Sequence, residues 1–103
     1  MSLPILKRPA ASRDIEECFV YIAEDDVDIG VSFLVAVEEA LDRLSQFPLI
    51  GEEMSLRNAS LAKLRFWPIR GFEKYLIFYL AHDNAIELVR VLHSSRDLND
   101  LFS

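Results

Sequence analysis

Residues 63–92 read KLRFWPIRGFEKYLIFYLAHDNAIELVRVL, and this stretch decides the fold. Lys63-Leu64-Arg65-Phe66-Trp67 alternates polar with apolar, the signature of a half-buried strand. KYLIFYL, from Lys74 to Leu80, is aromatic and apolar on both faces, and IELVRVL, from Ile86 to Leu92, is rich in β-branched residues. The separators Ile69-Arg70-Gly71-Phe72 and Ala81-His82-Asp83-Asn84 are turn-like, so the last two runs form a hairpin.

Upstream the period changes from two to three and four. Ala11, Ile15, Phe19, Ile22 and Ala23 mark one stripe of a helix over about residues 10 to 24, with Pro9 suited to its first turn. Glu24-Asp25-Asp26 closes this helix and caps the next, which runs from about 27 to 46. Gly30, Phe33, Leu34, Val37, Leu41 and Leu44 form its stripe, widened by Val31, Val35 and Ala36, and Phe47-Pro48 stops it. So broad a stripe has more apolar surface than one small sheet face needs, which leaves part of it for a partner. Leu3-Pro4-Ile5-Leu6-Lys7 suits a short edge strand. Residues 48–62 show no sustained period and read as a long connection, with room for a helical turn. Ser94 or Ser95 is placed to cap a last turn in which Leu98, Leu101 and Phe102 pack back on the body. The predicted fold is α+β in two layers, a helical hairpin on a four-stranded, mainly antiparallel sheet, with element order β-α-α-β-β-β and a short C-terminal helical turn.

A chain of 103 residues is the size of one domain. It has no apolar run long enough to span a bilayer and no signal-like N-terminus, so a cytoplasmic location is expected. Cys18 is the single cysteine and is expected as a packed thiol; with only His82 and His93 beside it, no metal site and no cofactor are expected. The net charge of −6 is uneven: residues 1–53 carry twelve acids and four bases, residues 54–103 five acids and seven bases. The acidic helices are either a solvated face or the complement of a basic partner. In both cases a negative field disfavours avid nucleic-acid binding.

Residues 64–97, LRFWPIRGFEKYLIFY followed by IELVRVLHSSRD, resemble the ParE branch of the ParE/RelE toxins of type II toxin–antitoxin systems. The matching features are Leu64-Arg65 entering the second strand, an aromatic third strand ending in Tyr79, and His93-Ser94-Ser95-Arg96-Asp97 closing the fourth. Asp14-Ile15, Tyr21-Ile22-Ala23 and Phe47-Pro48 agree as well. Two positions depart from the pattern: Pro48-Leu49-Ile50-Gly51 leads into Glu52-Glu53 where relatives carry Arg, and Gly30 stands where alanine is usual.

The resemblance implies a toxin that binds and stalls DNA gyrase without chemistry of its own, held by a ParD-like antitoxin whose amphipathic tail lies beside the helices. It places antitoxin contacts at Phe19, Ile22, Leu34, Val37, Glu38 and Leu41. Candidate target contacts are Arg65, Trp67, Tyr75, Tyr79, His93 and Arg96, with Trp67 open to a core reading as well. Two alternatives stay open. One is a ribosome-dependent endoribonuclease of RelE type using His93, Arg90 and Arg96, although the basic cluster and late tyrosine of such enzymes are missing. The other is a non-toxic relative that keeps only antitoxin binding.

Overall fold

The computed structural model describes residues 2–54 and 56–102. Strand β1 (Ile5–Lys7) leads into helices α1 (Pro9–Asp25) and α2 (Val27–Gln46). Then come β2 (Glu52–Glu53), a 3-10 turn (Ala59–Leu61), β3 (Arg65–Ile69), β4 (Phe72–Ala81), β5 (Ile86–His93) and the short helix α3 (Leu98–Phe102). Pro9 opens α1, where its missing N–H costs nothing. Asp26 sits between the helices in extended conformation and its carboxylate accepts the Ile29 N–H, so one residue ends α1 and caps α2. Gly30 is buried where the helices cross; a Cβ there would lie 2.9 Å from Ala23 Cβ, which accounts for glycine at this helical position.

The sheet has five strands in the order β1-β5-β4-β3-β2, one more than the sequence predicts. The additional strand, Glu52–Glu53, pairs antiparallel with Arg65 and Phe66 inside the expected connection; its two exposed acids carry no strand signal. Ser55, in the same connection, lies outside the described residues. All pairings are antiparallel except β1 with β5, where Ile5 faces Ile86 and Lys7 faces Leu88. Between β4 and β5 the register slips at Phe78/Tyr79, which are opposite Arg90 and Leu88.

Both sheet faces are covered. Ala11, Phe33, Val37, Leu41 and Leu44 of the hairpin close over Ile77, Tyr79, Ile86, Leu88 and Val91. On the reverse face Leu61, Leu64 and Phe102 pack on Phe78, Val89 and Leu92, so α3 and the segment before β3 add a partial third layer. The expected packing of Leu98, Leu101 and Phe102 on the body is found there. The cap of α3 is Asp97, whose carboxylate accepts the Asp100 N–H, in place of Ser94 or Ser95.

Candidate functional site

β1 ends level with Leu88, while β5 continues to His93. Asp14 occupies the edge that β1 leaves. Its carboxylate, almost wholly buried, accepts the Val91 backbone N–H at 3.0 Å and grips the Arg90 guanidinium through two bonds of 2.6 and 2.9 Å. This paired fork is the strong geometry for a guanidinium and a carboxylate. It raises the Arg90 pKa further above its ordinary value, so the charge is permanent and neutralised in place.

At the end of β5 the backbone turns through the Ser94 and Arg96 amides, which reach the Lys74 and His93 carbonyls. The Ser95 N–H lies 3.1 Å and its hydroxyl 2.8 Å from His93 Nδ1. A backbone N–H can only donate, so Nδ1 is the acceptor and the neutral ring carries its proton on Nε2. The basic lone pair is thereby occupied. Tyr75 packs edge-on against His93 with ring centroids 5.1 Å apart, and burial pushes the Tyr75 phenol up, with smaller contributions from Cys18 and Tyr21. Arg96 is exposed.

A second cluster surrounds the turn after α2. The Tyr79 hydroxyl donates to the Pro48 carbonyl at 2.8 Å and accepts the Gly51 N–H at 2.9 Å. Arg65 Nη1 donates to the Leu49 and Gly51 carbonyls, and its Nη2 lies 3.3 Å from Glu53. Gly51 is required: a Cβ would come within 2.6 Å of the Tyr79 hydroxyl and 2.7 Å of the Phe66 carbonyl. Arg65, paired with the very glutamate that stands near the departure from the family pattern, therefore serves the turn.

Trp67 lies on the hairpin side of the sheet, half-buried, and floors a groove of about 500 Å³ with Ala36, Ala40, Arg43, Pro68 and Arg70. On the outer surface of the hairpin Val20, Val27, Val31 and Val35 are exposed. Among them stand exposed Glu16, Glu24, Glu38 and Asp42, of which Glu38 pairs with Lys7 at 3.3 Å.

Comparison with known proteins bears on this arrangement. The family described as "ParE toxin of type II toxin-antitoxin system, parDE" matches residues 5–98, nearly the whole chain. The chain belongs to this ParE toxin family. A solved structure described as "Chromosomal ParDE TA system from P. aeruginosa" is 10% identical, covering 89% of this chain and 96% of its own, with a TM-score of 0.59. At that identity the likeness shows the ParE fold. Comparison with curated proteins finds no match.

Within this ParE fold the expected contact residues separate. Phe19, Ile22 and Leu34 are half-buried and Glu38 is exposed, but Val37 and Leu41 point into the sheet and are closed to any partner. Apolar residues of the same helices that are exposed include Val20, Val27, Val31 and Val35, roughly a third of a turn or more away from the core stripe. Tyr75 is half-buried and reaches the surface region of His93, whereas Tyr79 is fully buried and offers nothing to a target. Arg65 and Trp67 are partly exposed; Arg96 is open. Asp14 and the Phe47–Ile50 turn were missed. A lone acid one residue before Ile15, on the apolar side of α1, was the available signal for the first, and three large apolar side chains around a proline for the second.

Among the described residues no three His, Cys, Asp or Glu side chains gather as a metal site requires, and no helix is long and apolar enough to cross a membrane. Cys18 is half-buried beside the core, and burial, then Asp14 and Glu17, push its thiol up to about 11.

Proposed function

We propose that this chain is a gyrase-directed toxin of the ParE type that acts by binding and is neutralised by a ParD-like antitoxin. The observation that carries the first part is the commitment of the would-be nuclease groups to structure. Arg90 is held by Asp14, and the basic lone pair of His93 is occupied by Ser95. A phosphodiester would need a free base and a free cation converging on one phosphate. Of the two guanidinium groups, that of Arg90 is held by Asp14 and only that of Arg96 is exposed. An activity made of contacts suits this geometry better than one made of proton transfers.

The antitoxin reading rests on the hairpin. Val27, Val31 and Val35 recur every four residues along α2 and give an exposed apolar ridge with acids on its margins. An amphipathic helix from the antitoxin tail, apolar along one stripe and flanked by Lys or Arg, complements that surface, with burial supplying affinity and charge guiding encounter.

Supercoiling by purified DNA gyrase tests the target directly. Inhibition is expected with wild-type protein, together with filamentous cells on induction and intact messenger RNA in a translating extract. Normal supercoiling in the presence of excess folded protein would favour a non-toxic antitoxin-binding module; codon-linked RNA cleavage abolished in His93→Ala would favour the nuclease.

A further inference from the structure

The turn between α2 and β2 is wet in its side chains and fixed in its backbone. Phe47 is 55% exposed, Leu49 68% and Ile50 37%. Yet the Phe47 N–H reaches the Arg43 carbonyl, the Ile50 N–H reaches the Phe47 carbonyl, and Tyr79 and Arg65 hold Pro48, Leu49 and Gly51 from below. A connection needs neither property. Holding a surface turn with a buried phenol and a guanidinium is costly, and three large apolar side chains in water add nothing to the stability of this chain. A backbone ordered before contact loses less entropy on binding, which favours it as an interface anchor.

We propose that Phe47, Leu49 and Ile50 form a preorganised knob that enters an apolar cleft, rimmed by Lys or Arg, on the folded protein this toxin inhibits. The proposal rests on the reading of the chain as a toxin that acts by binding a protein target. Charge defines the cleft. Phe47 lies beside Glu39, Asp42 and Arg43 of α2, and Glu52 and Glu53 follow the turn; Arg65 is occupied by Glu53 and backbone carbonyls, so four acids outnumber the one uncommitted cation, Arg43. An acidic margin of this kind is repelled by nucleic acid and by anionic lipid, and is matched by a basic rim.

Shape separates target from antitoxin. A flexible tail can fold along the exposed valine ridge of the hairpin, whereas a rigid projecting knob needs a cleft already formed, which a folded enzyme has. The knob follows the C-terminus of α2, 12 residues or about 18 Å beyond Val35, the last of the exposed valines.

The test compares full-length wild-type protein with a Phe47→Ser/Leu49→Ser double variant, whose exposed positions leave the core intact, confirmed by circular dichroism and thermal melting. Growth on induction and supercoiling by purified gyrase are read in parallel. The expected result is growth arrest by wild type, little arrest by the variant, and roughly a ten- to hundredfold rise in the concentration of variant that half-inhibits supercoiling. Equal inhibition of gyrase by both proteins overturns the knob and leaves the gyrase reading standing. Arrest by wild type without gyrase inhibition removes gyrase as the target, and growth then decides the knob: loss of arrest in the variant supports it and retained arrest overturns it. Absence of arrest by wild type overturns it too. In a third protein, Glu52→Lys, weaker inhibition supports the basic rim and stronger inhibition overturns it.

Discussion

Replacing Tyr79 with phenylalanine removes one oxygen and leaves the ring in its buried place. That oxygen makes two bonds, to the Pro48 carbonyl at 2.8 Å and from the Gly51 N–H at 2.9 Å. The Pro48 carbonyl is partly exposed and can take up water, whereas Gly51 is buried and its N–H loses its partner. A solvent-satisfied loss costs on the order of 1 kcal/mol, and a buried orphan donor about 1 to 3 kcal/mol. The sum is about 2 to 4 kcal/mol, brought down to about 2 kcal/mol by the relief of dehydrating one hydroxyl. Urea denaturation followed by far-UV circular dichroism should show a midpoint lower by on the order of 1 M with an unchanged slope. Because Arg65 supports the same turn, Arg65→Gln in the Tyr79→Phe background should not add independently, and a double-mutant cycle should give a coupling of at least about 0.5 kcal/mol. A Tyr79→Phe protein within about 0.5 kcal/mol of wild type, or strict additivity, would refute the claim that these two side chains hold the turn.

Three further outcomes follow from the geometry. Asp14→Ala leaves Arg90 unpaired and the Val91 N–H unsatisfied, and should lower stability by about 3 kcal/mol or more, while Asp14→Asn, which keeps an acceptor, should lose less; equal losses on chemical denaturation would count against the bond to Val91, and near-wild-type stability of Asp14→Ala against the ion pair. Gly30→Ala gains about 1 kcal/mol of helix propensity but places its Cβ 2.9 Å from Ala23 Cβ, so a net loss of about 1 kcal/mol is expected and a rise in melting temperature contradicts the close crossing. Cys18, with its thiol at about 11, should alkylate at pH 8 about a hundredfold more slowly in the folded protein than after unfolding, with the rate climbing as pH rises toward 11; similar rates in both states at pH 8 would show that the site is open.

Much of this fold was legible because its local signals agree. Asp26 has the carboxylate an N-cap requires, Pro9 and Phe47-Pro48 bracket the helices, and α2 begins and ends where the periodicity places it. β2 was not legible, since two exposed glutamates become a strand only through the partner that β3 offers. The α2 stripe was legible, since Gly30, Phe33, Val37, Leu41 and Leu44 are buried as the periodicity places them; the fate of the residues that widen it was not. Val31 and Val35 are as apolar as Val37, and which arc meets the sheet is decided by Phe33 and Leu44, packed at zero exposure, and not by hydrophobicity. Tyr75 and Tyr79 share a strand face, but one lies at its margin and the other beneath the helices. His93, Arg90 and Arg96 look alike in a motif; only coordinates show that Asp14, 76 residues before Arg90, has already claimed one of them.

The parallel pairing of β1 with β5 also governs when this protein can exist during its synthesis. The first strand has no partner until the last has been made, and the edge of that last strand is completed by a carboxylate from the first helix. A nascent chain stopped before residue 86 lacks the strand that joins β1 to the rest of the sheet, and with it Ile86, Leu88 and Val91 of the surface the helices cover. Closing so long a loop makes folding slow as well as late. Any partner that recognises the finished surface therefore meets it only after translation has passed β5.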